Sequence, residues 1–77
     1  MPYRRVNMKQ VRVLNHKNGA TRDCAIGDVY GVLHFAEAGT GDYHGFYAEY
    51  DSVAFVDAVG DVAIGWTSGP KADLEFV

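Results

Sequence analysis

The stretch from Ser52 to Trp66, Ser-Val-Ala-Phe-Val-Asp-Ala-Val-Gly-Asp-Val-Ala-Ile-Gly-Trp, constrains the fold more than any other part of the chain. Two runs rich in β-branched and aromatic residues flank Asp57-Ala58-Val59-Gly60-Asp61, the pattern of a β-hairpin. A type I turn over Ala58 and Val59, closed by Gly60 at positive φ, makes a three-residue connection with a G1 bulge. Glycine suits that place because a side chain there would clash with the backbone. Placing Asp57 opposite Asp61 sets Val56 across from Val62 and Ala54 across from Ile64. Side chains alternate along a strand, so these residues and Trp66 share one face. Val53 and Phe55 then lie opposite Gly65 and Ala63 on the other, large residues against small ones, as where a ring lies over open backbone. Both faces are largely apolar. The ribbon is therefore expected to bend, or to sit in the wall of a barrel.

Composition limits the rest. At 77 residues, 48% of them hydrophobic and 13% aromatic, the chain is expected to be one small folded domain. Nine glycines against two prolines point to many tight turns. A single cysteine, Cys24, excludes an internal disulfide and fits a reducing cytoplasm. No apolar run approaches the roughly 18 residues of a membrane helix, and no signal peptide is recognisable. A soluble, cytoplasmic protein is the expectation. The net charge of −3 is unevenly spread. Residues 1–27 carry Arg4, Arg5, Lys9, Arg12, Lys17 and Arg22 against Asp23 alone, giving +5, and residues 28–77 carry −8. Such a division reads either as a basic arm on an acidic body or as ordinary solvated surface.

In chain order, residues 1–8 show no period and are expected to form a flexible extension, with Met8-Lys9 resembling a translation start. Residues 9–77 form the domain. Gln10-Val11-Arg12-Val13-Leu14 alternates as a first strand, with Val11 and Val13 inward and Arg12 outward. Asn18-Gly19 marks a turn, and Ala20–Ile26 reads as a loop or a short extended segment. Gly27-Asp28 opens a strand over Val29–Phe35, in which Gly31 suggests a bulge or a close backbone approach. Glu37–Asp42 is expected to be a flexible loop and Tyr43–Tyr50 a third strand. After the hairpin, Thr67–Pro70 is a turn and Leu74–Val77 a closing strand, with Leu74 and Phe76 on one face. Apolar residues nowhere repeat at helical spacing over eleven residues. The expected fold is all-β, five to six short antiparallel strands forming a small, partly open barrel.

Four segments together carry a resemblance: Val11-Arg12-Val13-Leu14, Ile26-Gly27-Asp28-Val29-Tyr30-Gly31-Val32, Phe55-Val56-Asp57-Ala58-Val59-Gly60-Asp61, and Leu74-Glu75-Phe76-Val77. The chain resembles small SH3-like barrel proteins encoded by tailed bacteriophages, over roughly residues 9–77. The resemblance implies an SH3-like barrel and a non-enzymatic early or accessory protein that binds a bacterial host factor and modulates or inhibits it. Gly31 and the glycine-rich insertion at 39–45 depart from that pattern, the second at the surface a partner would touch.

Chemical sites are sparse. Gly39-Thr40-Gly41-Asp42-Tyr43-His44-Gly45 has the look of a dinucleotide loop, but the residues after it are aromatic and strand-like, with no helix to receive a pyrophosphate. His16, His34, His44 and Cys24 lack the close spacing of zinc ligands, and no cofactor is expected. Asp57 and Asp61 are opposed at the hairpin base, where aspartates also favour turns by accepting backbone N–H bonds. No nucleophile motif surrounds Ser52 or Ser68, and an enzyme is not expected. The densest feature is the aromatic run Tyr43, Phe46, Tyr47 and Tyr50. Two readings of it stand: rings on the surface for a partner, or Phe46 and Tyr50 in the core.

The expected partner surface is Tyr43, His44, Tyr47, Glu49 and Asp51, acting on a protein. A first alternative is nucleic-acid binding through Arg4, Arg5, Lys9, Arg12, Lys17 and Arg22, and a second is a structural or assembly role in a virion.

Overall fold

The computed structural model describes residues 9–77, and the expected extension at 1–8, with Arg4 and Arg5, lies outside the described residues. Seven strands run in order: β1 (Gln10–Val13), β2 (Val29–Ala36), β3 (Thr40–Gly41), β4 (Tyr47–Ala48), β5 (Ser52–Val56), β6 (Val62–Trp66) and β7 (Leu74–Phe76). Five of them form one antiparallel sheet in the order β6-β5-β2-β1-β7, and β3 and β4 pair as a separate small hairpin. The fold is all-β. The two edge strands do not form a ladder with one another, so the sheet is not a closed barrel. They approach one another at the start of β7, where the preceding Asp73 N–H donates to the Trp66 carbonyl (2.9 Å) and Leu74 packs over Gly65.

The β5–β6 hairpin has the expected register, Val56 with Val62, Phe55 with Ala63, Ala54 with Ile64 and Val53 with Gly65. Its turn is closed by Gly60 N–H to Asp57 carbonyl (3.1 Å) and Asp57 N–H to Asp61 carbonyl (2.8 Å), with Gly60 at φ +90°. The main core cluster takes one face of this ribbon, and on the other face Ser52 and Ala54 of β5 are buried as well. Val53, Phe55 and Ala63 are buried with Val11, Val13, Cys24 and Leu74, and Tyr30 and Val32 pack against them. Tyr30 stacks on Phe55 with ring centroids 5.3 Å apart. Desolvation of its hydroxyl, with Cys24 and Asp28 beside it, pushes the Tyr30 pKa up to about 12. At one end of the sheet Phe35 meets Phe76 edge to face (5.8 Å), and the Lys9 ammonium lies 5.4 Å from the Phe76 ring centre.

Gly65 owes its place to the closing strand. A Cβ built there would stand 2.5 Å from Leu74 Cδ1 and 2.8 Å from Asp73 Oδ1, so β7, and not a cross-strand ring, occupies the space above this glycine. Gly65→Ala is expected to lower stability by about 1–3 kcal/mol through overpacking. Gly31→Ala, whose Cβ meets nothing within 4 Å, should stay within about 0.5 kcal/mol of wild type. Urea unfolding of both variants checks the contrast.

Three expectations are corrected. The irregularity in β2 falls between Val32 and His34, at Leu33, and Gly31 keeps regular pairing with Gln10. The extra residue re-aims the strand, so that Val32 pairs with Phe55 and packs against the core, while Phe35 pairs with Val53 and stays 41% exposed. Glu37–Asp42 is not simply a loop: it contains a turn and β3. Tyr43–Tyr50 is not one strand, because a turn interrupts it and only Tyr47–Ala48 pair, with Gly41 and Thr40. The cause is local. Asp42 Oδ1 accepts the N–H groups of His44 (2.9 Å) and Phe46 (3.0 Å), and Gly45 at φ +87° completes the reversal.

Candidate functional site

The turn at Asp42 repeats the turn at Asp57. In each, an aspartate accepts the N–H groups two and four residues on: Asp42 those of His44 and Phe46, Asp57 those of Val59 (3.0 Å) and Asp61 (2.9 Å). In each, a glycine three residues on sits at positive φ. Asp42-Tyr43-His44-Gly45 and Asp57-Ala58-Val59-Gly60 are thus one structural word, Asp-x-x-Gly, used twice.

The first copy presents aromatics. Phe46 and Tyr47 are 70% and 73% exposed, and Tyr43, His44 and Glu49 are exposed beside them. The core reading of Phe46 and Tyr50 is therefore corrected: a reversal at Asp42–Phe46 points Phe46 outward, and Tyr50 is also exposed. The rings are not equivalent. Tyr43 is anchored edge to face against His34 (5.8 Å) and His44 (5.3 Å). Tyr50 lies over Gly69, whose added Cβ would come within 2.6 Å of the ring. Phe46 and Tyr47 stack on no other ring among the described residues. Asp51 has a structural duty: its carboxylate accepts the Ala38 N–H (2.7 Å) and so ties the start of the β3–β4 hairpin to β5.

Two clefts adjoin this hairpin. One, of about 470 Å³, is lined by His44, by Asn18, Arg22 and Asp23 of the loop after β1, and by Asp57, Asp61 and the β6 residues Val62–Ile64. The other, also about 470 Å³, is lined by Glu49, Tyr50, Trp66, Ser68, Pro70 and Lys71. Asn18 stands at both. Its side-chain amide donates to the Lys71 carbonyl (2.8 Å) and to Asp73 Oδ2 (3.1 Å), which fixes the 15–20 loop against the segment before β7. Asn15 does the same through the Ala72 carbonyl (3.1 Å). The sequence marks Asn18 only as a turn residue and does not single out Asn15, since the partners of both lie more than fifty residues away.

No family model, curated protein or solved structure matches the chain.

The basic residues do not share one arrangement. Arg12 is paired with Glu75 (3.0 Å), Lys9 sits by Phe76, Lys17 is on the turn before Gly19, and Arg22 lines the first cleft with three aspartates. The histidines are likewise separated in role. His16 Nε2 lies 2.8 Å from the Cys24 carbonyl oxygen, Cys24 is buried, and His34 and His44 flank Tyr43. Among the described residues no three metal-ligating side chains converge, and no helix is long and apolar enough to cross a membrane.

Proposed function

We propose that this is a non-enzymatic binding protein of the phage early or accessory type, which attaches to a bacterial host protein and modulates or inhibits it. We propose also that its curled sheet is an SH3-like barrel left partly open, acting in the host cytoplasm. The observation that carries the reading is the pair Phe46 and Tyr47, held far into solvent on a hairpin whose turn is fixed by Asp42. Large rigid rings on a fixed turn lose little entropy on contact and supply most of the energy of small interfaces. Glu49 adds negative charge next to them, favouring a basic partner surface and disfavouring phosphate.

Capture from nuclease-treated bacterial lysate tests this. Wild type is expected to retain one dominant protein, and Tyr47→Ala to weaken that complex at least about 30-fold while leaving the unfolding midpoint unchanged. Glu49→Lys should slow association; it is a better charge reversal than one at Asp51, whose carboxylate the fold uses. Equal capture by Tyr47→Ala and wild type would overturn the assignment. Loss of all bound material on nuclease treatment would favour nucleic acid.

A further inference from the structure

The free edge of β6 ends in the acidic cleft. In the β5–β6 ladder Asp57 N–H bonds the Asp61 carbonyl, and bonded and non-bonded pairs alternate along an antiparallel hairpin. Phe55–Ala63 and Val53–Gly65 are therefore the bonded pairs, and the N–H and C=O groups of Val62, Ile64 and Trp66 point away from β5. At Trp66 those groups are taken: its N–H donates to Asp73 Oδ1 (2.7 Å) and its carbonyl accepts the Asp73 N–H (2.9 Å). At Val62 and Ile64 no turn or loop segment among the described residues bonds to them, and β6 is an outer strand of the sheet.

This open length lines the cleft that also holds Asp23, Asp57 and Asp61 against Arg22, a formal excess of two negative charges with His44 neutral. Asp57 is only 8% exposed, and both hydrogen bonds its carboxylate accepts fall on Oδ1. Its Oδ2 has no partner among the described residues, yet no sealed side-chain oxygen lacks one, so Oδ2 opens to the cleft. A carboxylate oxygen with no donor, beside backbone groups with no strand, calls for a ligand that brings both.

We propose that β6 receives a short extended segment of a partner protein, paired to Val62 and Ile64, that sets a basic side chain against Asp57, Asp61 and Asp23. Main-chain bonds to a sheet edge supply affinity, and side-chain pockets supply selection. Trp66, closed by Asp73, limits the pairing to the Val62–Ile64 stretch. The inference rests on the protein-binding reading above and names the chemistry of the partner.

The test is amide hydrogen exchange and ¹⁵N NMR of the folded protein with acetyl-Val-Arg-Val-amide. Acetyl-Val-Gln-Val-amide and an N-methylated arginine peptide serve as controls. The arginine peptide is expected to slow exchange at Val62 and Ile64 at least about tenfold at saturation, with Trp66 unchanged. Asp23→Asn with Asp61→Asn should weaken its binding roughly tenfold, and so should high salt. Asp57 is left intact in that variant because its carboxylate holds the turn. No protection at Val62 and Ile64, equal binding of the glutamine or N-methylated peptide, or protection that rises with protein concentration alone (two copies pairing at this edge) would each overturn the proposal. Tyr47→Ala separates the two readings. If it abolishes lysate capture while the peptide shows no edge protection, the aromatic hairpin stands and the edge site fails. If the peptide protects the edge while Tyr47→Ala captures normally, the reverse holds.

Discussion

Asp73→Ala is expected to cost the domain about 2–4 kcal/mol, because it takes the acceptor from the part-buried Trp66 N–H and removes one of the two acceptors of the Asn18 amide. The side chain is fully buried at 0% exposure, and its two oxygens divide the work. Oδ1 accepts the Trp66 N–H at 2.7 Å and Oδ2 accepts the Asn18 amide at 3.1 Å. No cation pairs with it; Arg12 and Glu75 form the only ion pair among the described residues. One carboxylate thus joins the end of β6, the loop after β1 and the start of β7, three segments that sequence keeps far apart. A domain of this size has roughly 4–12 kcal/mol in total, so the loss is a large fraction of it. Chemical denaturation should show a lower midpoint. Asp73→Asn, which keeps one acceptor oxygen, should recover part of the loss. Because Asn18 borders both clefts, amide shifts in Asn18–Asp23 should move in the alanine variant even where it remains folded. A midpoint within about 0.5 kcal/mol of wild type would show that water replaces the carboxylate at no cost.

The hairpin at the centre of the fold was legible because its determinants are local. Alternating apolar runs and the Asp-x-x-Gly turn fix each other's register within fifteen residues, and Val56 through Trp66 pair as their spacing requires. Val11 and Val13 were legible as inward for the same reason. What stayed hidden is what depends on distant partners. Asn18 reads only as a turn residue, nothing local marks Asn15 or Asp73, and only the closure of the sheet brings Asn15 to the Ala72 carbonyl and Asn18 to Asp73.

The Tyr43–Tyr50 segment failed for a different reason. Its aromatic content gives a strong strand preference, and that preference masked Asp42-Tyr43-His44-Gly45, the same turn correctly read at Asp57-Ala58-Val59-Gly60. Strand propensity measures fit to a half-buried pleated surface, and these rings are not half buried. A carboxylate capping two amides, with a glycine at positive φ, outweighs the preference of the residues between them. The signal was in the sequence; applying the Asp-x-x-Gly rule at both places would have turned an ambiguous core strand into an exposed loop. The acidic cleft, by contrast, could not have been found from sequence, since His44, Arg22 and Asp57 meet only in the folded chain.

Phe55→Ala and Phe46→Ala remove the same ring and should give opposite results. Phe55 is fully buried at 0% exposure, stacked on Tyr30 and enclosed by Val11, Val13, Val53 and Leu74. Deleting it loses the transfer energy of the ring and leaves a cavity that a five-stranded sheet pinned by β7 cannot collapse to fill. A loss of about 3–5 kcal/mol is expected, enough to leave much of the chain unfolded at 25 °C if its stability lies near the lower end of the range for its size. Phe46 stands 70% in solvent, so its deletion should change stability by less than about 0.5 kcal/mol. The hairpin beneath it is held by Asp42 and by the Gly39 N–H to Ala48 carbonyl bond (2.8 Å), neither of which involves the ring. Circular dichroism and urea titration of the two variants would read the difference directly. A destabilised Phe46→Ala would mean that the ring packs into the body of the protein, and the surface assigned to the partner would have to shrink to Tyr47 and its neighbours. An unchanged Phe46→Ala that no longer captures the proposed protein partner would separate folding from binding within one residue type. Hydrophobic area at Phe55 holds the sheet together, while the same area at Phe46 contributes nothing until a second surface covers it.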